Sequence, residues 1–273
     1  MSVPYAEVIG DPIAHSKSPL IHGLWLERLG LPGRYCRTQV AQDGLAEFLG
    51  SRRGDGDWRG CNVTIPHKIA VIDQLDAVDS VEVGAVNCIV PENGRLRGLN
   101  TDVLGISEAL GGCRADGPIV LVGAGGAARA AMAWLKQARV QDIRVVARDP
   151  AKAEDLLAAF GCQGRALPFS AATDALADAT GLLNATPLGM TGFDPMPESL
   201  LAGLGSMAGN AFVLDMVYAP VDTALLARAA SLGLAPVDGL AMLIGQAKSA
   251  FRLFFGAAPP ADCDDELRAL LTS

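Results

Sequence analysis

Histidine is nearly absent from this chain: His15, His22 and His67 are all it has in 273 residues. None of its six cysteines forms a C-x-x-C pair, so a structural zinc site is not expected, and no metal is assigned. The cysteines (Cys36, Cys61, Cys88, Cys113, Cys162, Cys263) are scattered along the chain, as free thiols in a reducing cytoplasm are. No apolar run approaches the roughly 18 residues that span a bilayer. The first eleven residues lack a basic stretch followed by an apolar one, so no signal peptide and no membrane contact are expected. Positive charge is also short: 22 Lys and Arg against 30 Asp and Glu give a formal charge of −8. A nucleic-acid partner would ask for a basic face. Aromatics are few and glycines number 31, which suits α/β packing with small residues where helices meet strands. No repeat or low-complexity tract is present, and the oligomeric state, monomer or homodimer, is left open.

What is there centres on Val120-Leu121-Val122-Gly123-Ala124-Gly125-Gly126-Ala127-Ala128. An apolar strand runs into a glycine turn and then an alanine-rich helix. Gly123, Gly125 and Ala128 fit the dinucleotide fingerprint G-x-G-x-x-G/A, with a second strand, Ile143 to Ala147, about 20 residues on. The alternative is a merely tight strand-to-helix turn.

Downstream the pattern alternates: strands at 119–122, 143–147, 165–168, 181–184, 211–216 and 235–238, helices at 126–137, 151–160 and 223–232. That alternation predicts a parallel sheet covered by helices. Upstream, Tyr5–Ile9, Tyr35–Val40, Cys61–Val63, Ala85–Val90 and Arg95–Leu99 read as strands. Asn93-Gly94 signals a hairpin turn. Ser18 reads as a helix N-cap, with Pro19 behind it and Gly30 as the stop. The helix between is expected to point Leu20, Leu24 and Trp25 inward. A helix is also expected from Val103 to Leu110. The last helices, Leu240–Phe255 and Ala261–Leu271, exceed what the nucleotide domain needs. The predicted fold is therefore α/β with two domains: an N-terminal α/β substrate domain (1–112, completed by helices in 240–273) and a Rossmann-like dinucleotide domain (113–239). A cleft between such domains is a common small-molecule site.

Polar clusters fall where loops are expected. Ser16 and Ser18 suit a carboxylate, although capping alone accounts for Ser18. Lys68, in the block after Cys61–Val63, suits acid/base work if a carboxylate lies beside it; an ordinary surface lysine is the plainer reading. Asp102 either pairs with such a lysine or caps the next helix. Asn87 can donate and accept hydrogen bonds to a polyol. His67 has no visible partner and reads as structural.

Eight ordered blocks carry a resemblance. They are GDPIAHSKSP from Gly10, NVTIPHK from Asn62, GAVN from Gly84, NTDVLG from Asn100, GAGGA from Gly123, NATPLGM from Asn184, DMVY from Asp215 and DGLAMLIGQ from Asp238. In these the chain resembles the shikimate dehydrogenase family. The resemblance implies reversible hydride transfer between NADP(H) and 3-dehydroshikimate/shikimate in aromatic amino-acid biosynthesis. It implies that Lys68 and Asp102 form the catalytic pair. Ser16, Ser18 and Tyr218 would hold the substrate carboxylate; Thr64, Asn87, Asp102 and Gln246 would hold its ring hydroxyls. Gly123, Ala124, Gly125, Gly126 and Ala127 would carry the cofactor pyrophosphate, with Met216 and Gly239 near the nicotinamide. One stretch departs: NADP-dependent members usually read Asn-Arg-Thr where this chain has Ala147-Arg148-Asp149. Arg148 suits a 2′-phosphate. Asp149 opposes it unless its carboxylate caps the following helix, so NAD is the alternative cofactor. Quinate or an amino-substituted analogue is the alternative substrate. A non-catalytic nucleotide sensor is disfavoured, because a sensor has no use for a proton-transfer pair.

Overall fold

The computed structural model describes residues 3–79 and 81–272. Its first part carries strands β1 (Tyr5–Gly10), β2 (Arg34–Gln39), β3 (Trp58–Val63), β4 (Ala77–Val78), β5 (Cys88–Glu92) and β6 (Arg95–Leu99). Among them run helices α1 (Ser18–Arg28), α2 (Leu45–Arg52), α3 (His67–Ala70) and α4 (Asp102–Ala109). Then come strands β7 (Ile119–Val122), β8 (Ile143–Ala147), β9 (Gly164–Pro168), β10 (Gly181–Asn184), β11 (Phe212–Asp215) and β12 (Ala235–Val237). Their helices are α5 (Gly126–Gln137), α6 (Pro150–Phe160), α7 (Ala172–Leu176), α8 (Glu198–Gly203) and α9 (Ala224–Ser231), followed by α10 (Gly239–Phe255) and α11 (Asp264–Thr272). Contacts divide the chain into two units, Met1–Leu104 with Ile244–Ser273, and Gly105–Leu243. No helix among the described residues is long and apolar enough to cross a membrane. All six cysteines are free thiols.

The first unit holds a mixed sheet in the order β2-β1-β3-β5-β6-β4. β1 lies parallel to both β2 and β3, while β5 runs antiparallel to β3 and β6. Successive side chains of a strand point to opposite faces. On β1, Tyr5 and Ile9 therefore join a core with Leu45, Phe48 and Leu49 of α2. Ala6 and Val8 join another with Ala250 and Phe254 of α10. Burial on both faces gives β1 an apolar run broken only by Glu7, whose carboxylate is paired at 2.8 Å with Arg52.

Three local readings of the sequence meet the structure here. Asn93 (φ 52) and Gly94 (φ 78) both take left-handed backbone between β5 and β6, as a two-residue hairpin turn requires. Strand β5 starts at Cys88, not at Ala85. The backbone before it is spent elsewhere: Val86 N–H donates to Lys68 O at 2.7 Å and Asn87 N–H to Leu99 O at 3.1 Å. In α1 the inward face is Ile21, His22, Trp25 and Leu26; Leu20 is exposed and Leu24 half-buried. Trp25 points inward as expected, while the Leu20–Leu24 ladder is right in period and one residue out in phase.

In the second unit all six strands are parallel, in the order β12-β11-β10-β7-β8-β9. The order reverses direction between β7 and β10, and in such sheets ligands bind at the carboxyl ends of the strands beside that switch. β7, β8, β10 and β11 are buried throughout, which explains their largely apolar sequences; Arg144 interrupts β8 and is paired with Asp142 at 2.8 Å. Ala128 and Ala131 of α5 are fully buried, and their small side chains let the helix lie close to the sheet. Helices α7 and α8, which the sequence reading omits, cover this sheet through Leu176 and Leu200.

Candidate active site

β3 ends at Val63, and a turn through Thr64-Ile65-Pro66 delivers the single-turn helix α3. Thr64 N–H donates to Ile9 O, and His67 N–H to Thr64 O, each at 2.9 Å. These bonds fix the turn against β1 and set Lys68 at the carboxyl end of β3. Lys68 Nζ donates to Asp102 Oδ2 at 2.6 Å. The two side chains keep only 14% and 6% of their surface in water, so the attraction is screened less than at a surface. Asn87 Nδ2 donates to Asp102 Oδ1 at 2.7 Å, and Asp102 N–H donates to Asn100 Oδ1 at 3.0 Å. Both carboxylate oxygens are thus engaged, whereas Lys68 spends one of three N–H bonds. The plain surface reading of Lys68 fails on this geometry.

Neighbouring groups extend the cluster. Asn87 Oδ1 accepts from Thr101 N–H at 2.6 Å, and Thr101 Oγ1 lies 3.2 Å from Gln246 Oε1. Asn62, buried in β3, accepts from the Tyr35 hydroxyl at 2.7 Å and donates to Asn87 O at 3.1 Å. Sequence reasoning gave Asn62 and Thr101 no role. The available signal for Asn62 was an amide inside an otherwise apolar strand, since buried polar groups need partners. His67 is fully buried with Nε2 2.7 Å from Val40 O. A carbonyl accepts only, so that nitrogen carries the proton and His67 is structural.

Ser16 and Ser18 are both buried, with hydroxyl oxygens 3.4 Å apart. Contrary to the sequence reading, Ser18 is not the N-cap of α1. Lys17 holds that position without a side-chain cap of its own, and the Ser16 hydroxyl accepts from Ser18 N–H at 3.4 Å. The Ser18 hydroxyl is therefore not consumed by capping.

In the second unit, Gly123 follows β7 with φ 109, and a Cβ there would sit 2.8 Å from Thr186 Cγ2. Gly125 is the N-cap residue of α5, without a side-chain cap, and a Cβ on it would meet nothing within 4 Å. Gly125 is exposed and Ala124, Gly126 and Ala127 beside it are half-buried, at the start of a twelve-residue helix with no acidic residue in its first turn. The arrangement fits a pyrophosphate. At the end of β8 Ala147 is buried, and Arg148 and Asp149 just after it are exposed. Asp149 Oδ1 accepts from Ala151 N–H at 3.1 Å, so it does cap α6. Met216 and Tyr218 lie on the loop after β11, both half-buried. Gly239 opens α10, where a Cβ would come within 2.5 Å of Val217 O. Asp215 is fully buried; burial pushes its carboxyl up, against hydrogen bonds from Thr223, Val217 and Asn184.

Family models match three stretches: a shikimate dehydrogenase substrate binding domain over residues 8–89, a shikimate / quinate 5-dehydrogenase over residues 108–188, and a shikimate 5'-dehydrogenase C-terminal domain over residues 239–265. The shikimate dehydrogenase (NADP(+)) of Sphingopyxis alaskensis is 49% identical over 274 residues, covering 99% of this chain and 97% of that protein. The chain belongs to the shikimate dehydrogenase family. The shikimate dehydrogenase (NADP(+)) of Mesorhizobium japonicum is 43% identical, covering 98% of this chain and 95% of that protein. A solved structure of the Thermus thermophilus shikimate 5-dehydrogenase, in complex with NADP(H) and shikimate, aligns with a TM-score of 0.84 at 35% identity. The alignment covers 98% of this chain and 99% of that chain. The eight sequence blocks thus pointed to the right family. Ser16, Ser18, Thr64, Lys68 and Asn87 fall in the substrate binding stretch, and Gly123 to Ala127 with Ala147 to Asp149 in the second. Gly239 and Gln246 fall in the third, while Asp102, Met216 and Tyr218 lie outside all three.

Proposed function

We propose that this chain is an NADP-dependent shikimate dehydrogenase, an oxidoreductase of the shikimate pathway to aromatic amino acids. The observation that carries this reading is the desolvated Lys68–Asp102 contact at 2.6 Å, in a chain of this family with an open glycine cradle. NADP supplies the hydride donor and acceptor when bound at Gly123 to Ala127. Lys68, held in place by its bond to Asp102, gives a proton to the oxygen that becomes the shikimate hydroxyl, and takes it back in the reverse direction. Asn87 orients the Asp102 carboxylate. Thr64, Asn87, Asp102 and Gln246 hold the ring hydroxyls, and Ser16, Ser18 and Tyr218 the carboxylate. Met216 and Gly239 border the nicotinamide. The free thiols suit the cytoplasm, and the enzyme works there as a monomer or homodimer. Crossing shikimate and quinate with NADP+ and NAD+, and following nicotinamide absorbance, tests the reading. Turnover fastest with shikimate and NADP+ supports it; no turnover with shikimate under either cofactor ends it.

Two further outcomes follow for substrate and cofactor. Ser16→Ala and Ser18→Ala each remove a hydrogen bond to a charged group, worth roughly 1.5–3 kcal/mol. The KM for shikimate should rise by about tenfold or more in each. Because Ser18 does not cap α1, its melting temperature should stay near that of the parent. An unchanged KM in both variants would remove the serines from the site. Asp149 is occupied at the helix terminus, so Asp149→Thr should barely alter the NADP/NAD preference. Arg148→Ala should lower it about tenfold or more, by removing the guanidinium fork and its stacking plane. Equal kcat/KM ratios in the parent and in Arg148→Ala would place the discrimination elsewhere.

A further inference from the structure

Asn184 and Asp215 are register partners at the last positions of β10 and β11, beside the strand-order switch, and both are fully buried. Burying a carboxylate is costly unless it is paired and hydrogen-bonded. The other buried carboxylates discussed above have cations: Glu7 has Arg52, and Asp102 has Lys68. Among the described residues no Lys, Arg or His pairs with Asp215. It is held by neutral donors alone: Asn184 Nδ2 at 2.9 Å and Val217 N–H at 3.1 Å on Oδ1, and the Thr223 hydroxyl at 2.7 Å on Oδ2.

Each bond has a consequence next to the proposed cofactor positions. The Val217 N–H bond closes a turn two residues on, which aims the Met216 and Val217 carbonyls at the backbone of Gly239. A Cβ on Gly239 would come within 2.8 and 2.5 Å of those oxygens. Asn184 builds the matching turn after β10. Its Oδ1 accepts from Thr186 N–H at 3.0 Å and from the Thr186 hydroxyl at 2.6 Å. Thr186 in turn crowds Gly123. The Asn184–Asp215 bond ties the two turns together. Thr223 both donates to Asp215 and caps α9 by accepting from Leu226 N–H at 3.3 Å. One buried carboxylate thereby fixes the loops after β10 and β11 against the two glycines, Gly123 and Gly239, that the cofactor reading uses.

We infer that Asp215 is a positioning residue for cofactor binding, acting through the Asn184–Thr186 and Met216–Val217 turns; the inference rests on the cofactor site proposed above. Asparagine can keep the arrangement. Its carbonyl accepts from Asn184 and Val217, and its amide donates to Thr223, whose hydroxyl has a second lone pair. Alanine cannot.

Fluorescence titration with NADPH, and steady-state kinetics with each substrate varied in turn, test the inference on the full chain. Asp215→Ala should raise the NADPH dissociation constant and the KM for NADP+ about tenfold or more, with the KM for shikimate changed less than about threefold. Asp215→Asn should restore cofactor binding to within about threefold of the parent. If Asp215→Ala does not fold, Thr223→Val, which removes one of the three bonds, should weaken NADPH binding about threefold with shikimate unaffected. Unchanged cofactor binding in the folded variants overturns the inference, as does an equal loss for cofactor and shikimate. A parent that binds NADPH but does not oxidise shikimate would defeat the proposed function and leave this titration decisive.

Discussion

Lys68→Ala is expected to lower turnover about 10²–10⁴-fold while moving the KM for shikimate far less. In the proposed mechanism the lysine supplies a proton to an oxygen whose charge develops during the reaction, so its loss should be felt in the transition state more than in binding. The variant also leaves Asp102 buried without its cation. Asp102 keeps its bond from Asn87 at 2.7 Å, yet breaking a buried pair by removing one partner is destabilising. A lower melting temperature is therefore expected as well, and kinetics belong below that transition. Lys68→Met separates the two effects poorly, because it leaves the same orphaned carboxylate. The double variant Lys68→Met, Asp102→Asn should recover stability and stay slow. Near-normal turnover in Lys68→Ala would remove the lysine from proton transfer.

The second large effect concerns stability. His22 on α1 is fully buried, and neither ring nitrogen has a hydrogen-bond partner among the described residues. Its ring stacks on Tyr35, with centroids 4.0 Å apart and planes 2° from parallel, and meets the edge of Trp25 at 5.7 Å. Burial pushes its pKa down to about 3, from 6.5. The folded-state value is depressed, so between these limits the unfolded chain binds a proton that the native one refuses. Stability is then fully present above about pH 6.5 and falls as the pH drops towards 3. The whole loss amounts to about 4–5 kcal/mol. Between about pH 7.5 and about pH 4.5 the share is about 2–3 kcal/mol. His22→Phe keeps an aromatic ring against Tyr35 and cannot titrate. Urea unfolding at those two pH values should show the parent losing that much more stability than the variant. Carboxylates titrate alike in both proteins and cancel. Parallel pH dependences would mean that His22 does not govern the acid limb. Any packing cost of the larger ring appears at both pH values.

The cofactor end shows where local and tertiary information divide. Asp149 sits before Pro150-Ala151, and capping needs only atoms two residues apart, so that use of its side chain was open to sequence reasoning. The hairpin at Asn93-Gly94 and the glycine turn at Gly123 are of the same kind. They depend on backbone conformations that particular residue types favour. Ser18 shows the limit of such rules: Ser-Pro is a sound start signal, yet the chain enters α1 one residue earlier, with Lys17 as the N-cap. In α1 a 3.6-residue period is satisfied nearly as well by Leu20 and Leu24 as by Ile21 and Trp25. The neighbours on β2 and α10 decide between them.

By itself the sequence determined most of the elements, though not α7 and α8, together with the parallel alternation after residue 119, the glycine turn and, through its eight blocks, the family. These rest on short-range physics: strand and helix periodicity, turn chemistry, and motifs whose residues are neighbours in the chain. The tertiary structure decided which polar groups meet, although the family resemblance already implied Lys68 with Asp102. Lys68 finds Asp102 across 34 residues, Asn62 finds Tyr35 across 27, and Asp215 finds Asn184 across 31. Each is a buried group whose cost is met by a partner from another strand or loop. Which partner that is depends on strand order and register, and no local pattern encodes either.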